Sequence, residues 1–368
     1  MSFSKGLEGV VVDETAVSNV EGDIGRLTYR GYPIEALVAE EYVAVVWLVL
    51  FGELPNDAQR VGLEEYLAEH GALNEADLNL LRGVDKASHP MEMLQGMIPL
   101  LRLVNKTYAE TGLEVSHGLQ IVAKIPMLIA AYHRLQEGLE PASFKRELSY
   151  LGNFLFMFNG EPADAKSIDV LKVAQILQME HSFNAGTFAS KCVSSTLASI
   201  KAVMAAGVGA LSGELHGGAD EAAVLTAREV GRPDDAHEYV ANLLAKKGKL
   251  MGMGHREYKV VDPRAVILKP MAKSLCEGTS AENLYATLEA LELEFNAEMN
   301  RRGKDIWANV EYYKGAVFVA LGIPAENFTA LFAMARSVGW LAHFVEDRQD
   351  NRIFRPKAHY TGSGYRAG

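Results

Sequence analysis

The sequence predicts a mainly α fold with one short β-hairpin near its N-terminal end. Three observations carry this. Apolar residues recur with helical spacing over most of the chain after residue 33. Capping and helix-breaking residues punctuate those stretches. Strand-like alternation is confined to the first thirty residues.

In chain order, residues 15–29 alternate around Glu21-Gly22-Asp23, the pattern of a hairpin. Pro33 sits where a helix can start, and Gly52 followed by Pro55 closes the apolar helix that holds Trp47 and Phe51. Asn56 with Gln59 three residues on makes a capping box. Helical spacing then predicts helices over 91–108, 119–135, 144–158, 168–180 and 187–206. Further helices are predicted over 219–230, 236–246, 263–276, 282–300, 315–321 and 327–346. Gly207-Val208-Gly209 lies inside an apolar helical run and reads as close helix packing. Glycine-rich and polar joints near 213–218 and 322–325 suggest a second domain inserted between them.

Bulk composition narrows the class. At roughly 150 residues per domain, 368 residues suggest about two domains. With 49% apolar and 23% charged residues, disorder is not expected. The 36 basic and 47 acidic residues leave a net charge of −11, which argues against a nonspecific nucleic-acid binder and against docking on an anionic membrane. Cys192 and Cys276 form no disulfide framework, as expected of a cytoplasmic protein. Residues 1–15 have no apolar signal core, and the longest apolar run, 43–51, is too short to span a bilayer.

Four stretches put ionisable side chains beside glycines or helix boundaries. They are Glu180-His181-Ser182-Phe183-Asn184, the run 213–221 around His216-Gly217-Gly218, the run 251–264 around His255, and Asn309-Val310-Glu311-Tyr312-Tyr313. Gly252-Met253-Gly254 lacks the third glycine of a dinucleotide fingerprint, and neither a P-loop nor a zinc-ligand spacing occurs. A metal site from His216, His255 and a carboxylate stays open as an alternative, a metallohydrolase, although the spacing fits no known zinc pattern; the preferred reading has no metal and no cofactor. His70, His117, His133 and His237 read as structural or surface histidines. His216 directly precedes a helix N-terminus, whose field disfavours protonation, so a neutral imidazole there is a good donor to a developing oxyanion. His255 lies between a glycine-rich turn and a cationic run, an expensive place for a structural residue. Glu311 at a helix start serves the helix dipole equally well as it serves catalysis.

Taken together, these motifs are similar to those of the citrate synthases. The resemblance rests on Leu-His-Gly-Gly-Ala-Asp-Glu (215–221), the 251–264 run, Asn-Val-Glu-Tyr-Tyr (309–313), Ala-Arg-Ser-Val-Gly-Trp-Leu-Ala-His (335–343) and Arg-Pro-Lys-Ala-His-Tyr-Thr-Gly (355–362), in that order. It extends to Thr-Tyr-Arg-Gly-Tyr (28–32), His-Pro-Met (89–91) and Lys-Ile-Pro (124–126), so it spans nearly the whole chain. The length resembles the short dimeric citrate and 2-methylcitrate synthases.

The resemblance implies a large helical domain, 1–217 with 326–368, and a small helical lid domain, 218–325. It implies condensation of acetyl-CoA with oxaloacetate and hydrolysis of the citryl thioester. His216 would bond the thioester oxygen, Glu311 would take the α-proton, and His255 would serve the oxaloacetate ketone. His181, Arg264 and Arg336 would hold the carboxylates, Arg355 would reach in across a homodimer interface, and Lys259 would meet CoA phosphate. Three positions differ from the family pattern: Glu311 replaces an aspartate, Gln178 a histidine, and Gln95 an arginine near the CoA or active-site surround. Two alternatives follow, a 2-methylcitrate synthase using propionyl-CoA and a weakly active or noncatalytic homologue that binds oxaloacetate or CoA.

Overall fold

The computed structural model describes residues 4–109 and 111–366. Its strands are β1 (Ser18–Glu21), β2 (Arg26–Tyr29) and β3 (Tyr32–Pro33), an antiparallel sheet in the order β1-β2-β3. Ser18 pairs with Tyr29 and Glu21 with Arg26, so the expected hairpin is present. It gains a third strand because Arg30 and Gly31, both at positive φ (50° and 85°), turn the chain tightly back to Tyr32.

Everything else regular is helical. The helices are α1 (Ile34–Leu37), α2 (Tyr42–Phe51), α3 (Asp57–Gly71), α4 (Glu75–Arg82), α5 (Pro90–Leu100), α6 (Leu113–Gln136), α7 (Tyr150–Asn159) and α8 (Ala165–Gln178). They continue as α9 (Ala185–Ser194), α10 (Ile200–Leu211), α11 (Ala219–Val230), α12 (Ala236–Ala245), α13 (Pro263–Cys276), α14 (Glu282–Arg301), α15 (Val310–Ala320) and α16 (Phe328–Gln349). Gly52 ends α2 at φ 98°, and both bonds of the Asn56–Gln59 capping box are 2.9 Å.

The core is built around α16, which packs on α2, α6, α8, α9 and α10. Trp340, Leu341 and Phe344 are buried along it. A side chain on Gly118 of α6 would collide with Leu341, and one on Gly207 of α10 would stand 2.6 Å from the Trp340 ring, so these glycines permit the close helix crossings. The α6 and α16 regions are long and apolar enough to cross a membrane, yet both are almost wholly buried inside the fold, as core helices are. Helices α11–α15 pack chiefly on one another, with α13 and α15 also touching α8.

Several helix limits differ from the expected ones for local reasons. The 91–108 helix stops at Leu100, beside Pro99. Beyond it the Asp77 and Gln120 side chains accept the Arg102 and Val104 N–H groups, each at 2.9 Å, replacing helical acceptors. The 187–206 helix breaks into α9 and α10. Leu197 sits at φ 63° in the break, and Arg348 of α16 donates to the Ser194 and Ala198 carbonyls at 3.1 and 2.7 Å. The helix expected at 315–321 starts earlier, at Val310, because the Asn309 side chain caps it by accepting the Glu311 N–H at 2.9 Å.

Candidate active site

The N-terminal sheet fixes two of the four motif stretches. Tyr29 donates its hydroxyl to the Ile176 and Glu180 carbonyls at 2.9 and 3.0 Å, and Ser18 Oγ accepts the Ser182 N–H at 2.8 Å. These bonds hold the chain after α8, where Ser182 takes a strained φ of 50°. At the other end of the hairpin, Gly22 accepts the Lys259 N–H at 3.0 Å. Gly22 also lies so close to the Glu257 carbonyl that a side chain there would collide with it.

The loop before α13 is tied to the start of α15. Gly254 N–H donates to Trp307 O at 2.7 Å, Asn309 N–H to Gly252 O at 2.9 Å, and Asn309 Nδ2 to Gly254 O at 2.9 Å. Gly252 is at φ 81° against Tyr312, which explains why the backbone there requires glycine. Asp262 completes the junction. It caps α13, grips Arg264 through both oxygens at 3.0 and 2.9 Å, and accepts Val310 N–H at 3.2 Å. His255 and Glu311, 56 positions apart, are thereby held by one frame.

Each histidine has a defined environment. His216 Nε2 lies 3.1 Å from the Gly186 N and 3.2 Å from Asn184 Oδ1; the tautomer with the proton on Nδ1 accepts the Gly186 N–H. Burial and the Arg336 charge hold its pKa down at about 4. The ring is thus neutral at neutral pH, through that burial and the Arg336 charge. His255 Nδ1 accepts the Glu257 and Tyr258 N–H groups at 3.0 and 3.2 Å, leaving the proton on Nε2, and burial with the Arg264 charge keeps its pKa at about 4. Its Nε2 lies 3.2 Å from Arg264 Nη2. Two donors facing one point call for an acceptor oxygen between or beside them. His181 Nε2 lies 3.1 Å from the Tyr258 hydroxyl, and its ring meets His255 edge-on at 5.4 Å. Burial and the charge of Arg264 push His181 well below the usual histidine range.

Glu311 sits in the first turn of α15. Its Oε1 accepts from Gln178 Nε2 at 3.0 Å and lies 3.5 Å from Lys314 Nζ, while its buried Oε2 has no hydrogen-bond partner among the described residues. Burial raises its pKa, Lys314, Arg264 and Arg336 oppose that rise, and Asp220 adds to it. Arg336 is buried in α16, donates Nε to the Gln178 carbonyl at 2.9 Å and stacks on Phe332 at 4.9 Å. Its Nη1 is buried without a partner among the described residues. A desolvated guanidinium arm of this kind calls for an anion.

His181, His216, His255, Glu311, Arg264 and Arg336 therefore form one linked cluster. Lys259 is exposed on the same loop as His255, its Nζ on the Arg256 carbonyl at 2.8 Å. Arg355 is exposed in the C-terminal segment and bonds the Pro356 carbonyl at 2.9 Å, so within one chain it is not drawn into the cluster. Gln95 is exposed. It lies on α5 against Gly209 of α10, where a side chain on the glycine would strike its amide. Sequence reasoning gave no role to Tyr258, Asp262 and Asp220, which lie inside the motif stretches, nor to Lys314, one residue beyond the last of them. The last three are buried ionisable side chains, and a lysine in an otherwise apolar helical pattern was the available signal for Lys314. Among the described residues, no three His, Cys, Asp or Glu side chains converge as a metal site needs.

Comparison with known proteins identifies the family. Residues 6–357 match the family model described as citrate synthase, C-terminal domain. The chain is 37% identical to a citrate synthase of Synechocystis sp. (strain PCC 6803) over 366 residues, covering 98% of this chain and 91% of that one. It is 32% identical to a 2-methylcitrate synthase of Mycobacterium tuberculosis over 361 residues, covering 98% and 91%. Among solved structures it resembles citrate synthase of Thermoplasma acidophilum in ternary complex with carboxymethyl-coenzyme A and oxaloacetate, with a TM-score of 0.91, 29% identity, and coverage of 100% and 98%. The chain belongs to the citrate synthase family.

Proposed function

We propose that this protein is a citrate synthase, an acyltransferase that condenses acetyl-CoA with oxaloacetate and hydrolyses the resulting thioester to citrate and CoA. The observation that carries the reading is the pairing, in one largely enclosed cluster, of a Glu311 carboxylate oxygen without a partner among the described residues with two half-buried neutral imidazoles and two buried guanidinium groups.

In this reading Glu311 Oε2 takes a proton from the methyl carbon of acetyl-CoA. The C–H electron pair becomes the carbon–carbon double bond of an enolate, and charge moves onto the thioester oxygen. His216 Nδ1–H stabilises that oxygen. The nucleophilic carbon attacks the ketone carbon of oxaloacetate, and His255 Nε2–H gives its proton or a hydrogen bond to the ketone oxygen as it becomes an alkoxide. Arg264, Arg336 and His181 orient the dicarboxylate, whose geometry suits guanidinium forks. Water then cleaves the thioester, releasing CoA. Arg355 of a partner subunit completes the carboxylate site, and Lys259 meets a CoA phosphate. A hinge at the Gly217–Gly218 joint lets residues 218–325 close on 1–217 and 326–368, excluding water until condensation is complete. The mutual packing of α11–α15 supports that division. The reading places the enzyme in the cytoplasm, with no bound cofactor.

The 2-methylcitrate synthase among the relatives favours one second reading, propionyl-CoA as the acyl donor. One methylene discriminates only about 10–200-fold. A CoA-thiol release assay with oxaloacetate and each acyl-CoA, compared by kcat/KM, separates the two.

A further inference from the structure

Lys314 is a lysine with no exposed surface. Ammonium groups are almost never fully buried unless paired, because desolvation costs more than an apolar stem returns. Its Nζ pairs ionically with Asp220 Oδ2 at 2.9 Å and with Glu311 Oε1 at 3.5 Å, neither contact having hydrogen-bond geometry, and it faces the Phe332 ring at 4.5 Å. Glu311 and Lys314 are three residues apart on α15 and share one face. Asp220 is the second residue of α11, directly beyond the loop that carries His216. The ammonium therefore bridges the element bearing the carboxylate to the element bearing the thioester-facing imidazole.

We propose that Lys314, anchored by Asp220, is a positioning residue that fixes the carboxylate of Glu311 through Oε1 and leaves Oε2 as its proton-accepting oxygen. This deepens the synthase reading and rests on Glu311 as the base.

The other charges around Glu311 cannot do this. Arg264 of α13 is gripped by Asp262, and Arg336 of α16 is held on the Gln178 carbonyl. Gln178 of α8 donates to Oε1 but carries no charge. Asp220 of α11 adds negative charge, so two carboxylates share one ammonium. On Glu311 the two neighbours act in opposite directions, Lys314 lowering its pKa and Asp220 raising it. A carboxylate paired alone with a buried ammonium would be a poor base; one facing Asp220 without the ammonium would hold its proton.

The test uses Lys314→Met, Asp220→Asn and the double variant in the full-length protein, with the pH profile of kcat as readout. The base acts deprotonated, so anything that raises its pKa moves the acid limb to higher pH. Lys314→Met is expected to raise the acid limb by about one pH unit or more, which is tenfold or more in proton affinity. It also lowers kcat by about 10–100-fold, while KM for oxaloacetate stays within about threefold. Asp220→Asn moves the limb the opposite way, to lower pH, and the double variant falls between the two single ones. General damage to the fold would not produce shifts of opposite sign. Should Lys314→Met not fold, the sign of the Asp220→Asn shift and the double variant decide. An unmoved acid limb, or shifts of the same sign in both single variants, overturns the proposal. The same titration is read without substrate by ¹³C NMR of the Glu311 carboxylate, assigned by its loss in Glu311→Gln. Should the wild type prove inactive, opposite NMR shifts would still uphold the bridge while the synthase reading failed.

Discussion

Gln178 Nε2 donates a 3.0 Å hydrogen bond to Glu311 Oε1, joining the end of α8 to the first turn of α15. The same Gln178 offers its main-chain carbonyl to Arg336 Nε at 2.9 Å. One residue thus holds both the proposed base and the guanidinium proposed to bind a carboxylate, and it does so without charge. Glutamate in place of the usual aspartate reaches one methylene further, and this neutral amide is what meets it.

Glu311→Gln keeps the shape and removes the basicity. It is expected to lower kcat by about 10²–10⁴-fold while oxaloacetate binding persists, because general-base catalysis contributes that order. Steady-state kinetics together with a thermal-shift titration of oxaloacetate separate the two quantities.

Arg336 carries a buried Nη1 that has no partner among the described residues. Oxaloacetate at about 100 times its Kd should raise stability by about 2.7 kcal/mol, seen as a higher Tm. Arg336→Met fills much of the same volume and should abolish that rise, with KM for oxaloacetate increased at least tenfold.

Stability should fall on both sides of a maximum near pH 6.5, for opposite reasons. His216 and His255 are held down at about 4 in the fold, below the unfolded value of about 6.5. Between those values the unfolded chain binds more protons, so stability drops as pH falls from 6.5 towards 4. His343 behaves inversely. Burial opposes its charge, but Glu180 at 3.1 Å and Glu346 at 3.4 Å raise its pKa to about 9. Its contribution is complete below 6.5 and is lost as pH rises through 9. Tm against pH for the wild type and His343→Gln checks this, the variant losing the alkaline slope.

Gly22 lies on the hairpin turn, outside the cluster, yet abuts the Glu257 carbonyl on the His255 loop. Gly22→Ala should displace that loop and cost about 10²-fold in kcat/KM with little change in Tm, since a shift of about 1 Å at a reacting group has that effect. A variant with full activity would show that the sheet does not position His255.

Arg355 is the proposed contribution of a partner subunit. Arg355→Ala and His255→Ala subunits, each inactive alone, should regain some activity when mixed into verified heterodimers. No recovery would place Arg355 outside the partner's site.

The helical periods and caps were legible: Asn56–Gln59 and Gly52 behave as their chemistry dictates, and Gly207 marks a close crossing against Trp340. What the periodicity could not show was competition from distant side chains. Asp77 and Gln120 end α5 and Arg348 divides α9 from α10, each through bonds to residues 15 or more positions away. At the site, the surroundings of His216 and His255 single them out in the sequence, while Glu311 reads equally well as a helix-dipole residue. The frame holding them was not legible, because Gly22, Asp262 and Lys314 acquire their meaning from partners that only the fold brings near.

The most direct test of the central claim is CoA-thiol release by the wild-type protein given oxaloacetate and acetyl-CoA, with propionyl-CoA and Glu311→Gln in parallel. The account predicts oxaloacetate-dependent release that Glu311→Gln loses by about 10²-fold or more. No release with either acyl-CoA, or full turnover in Glu311→Gln, would contradict it.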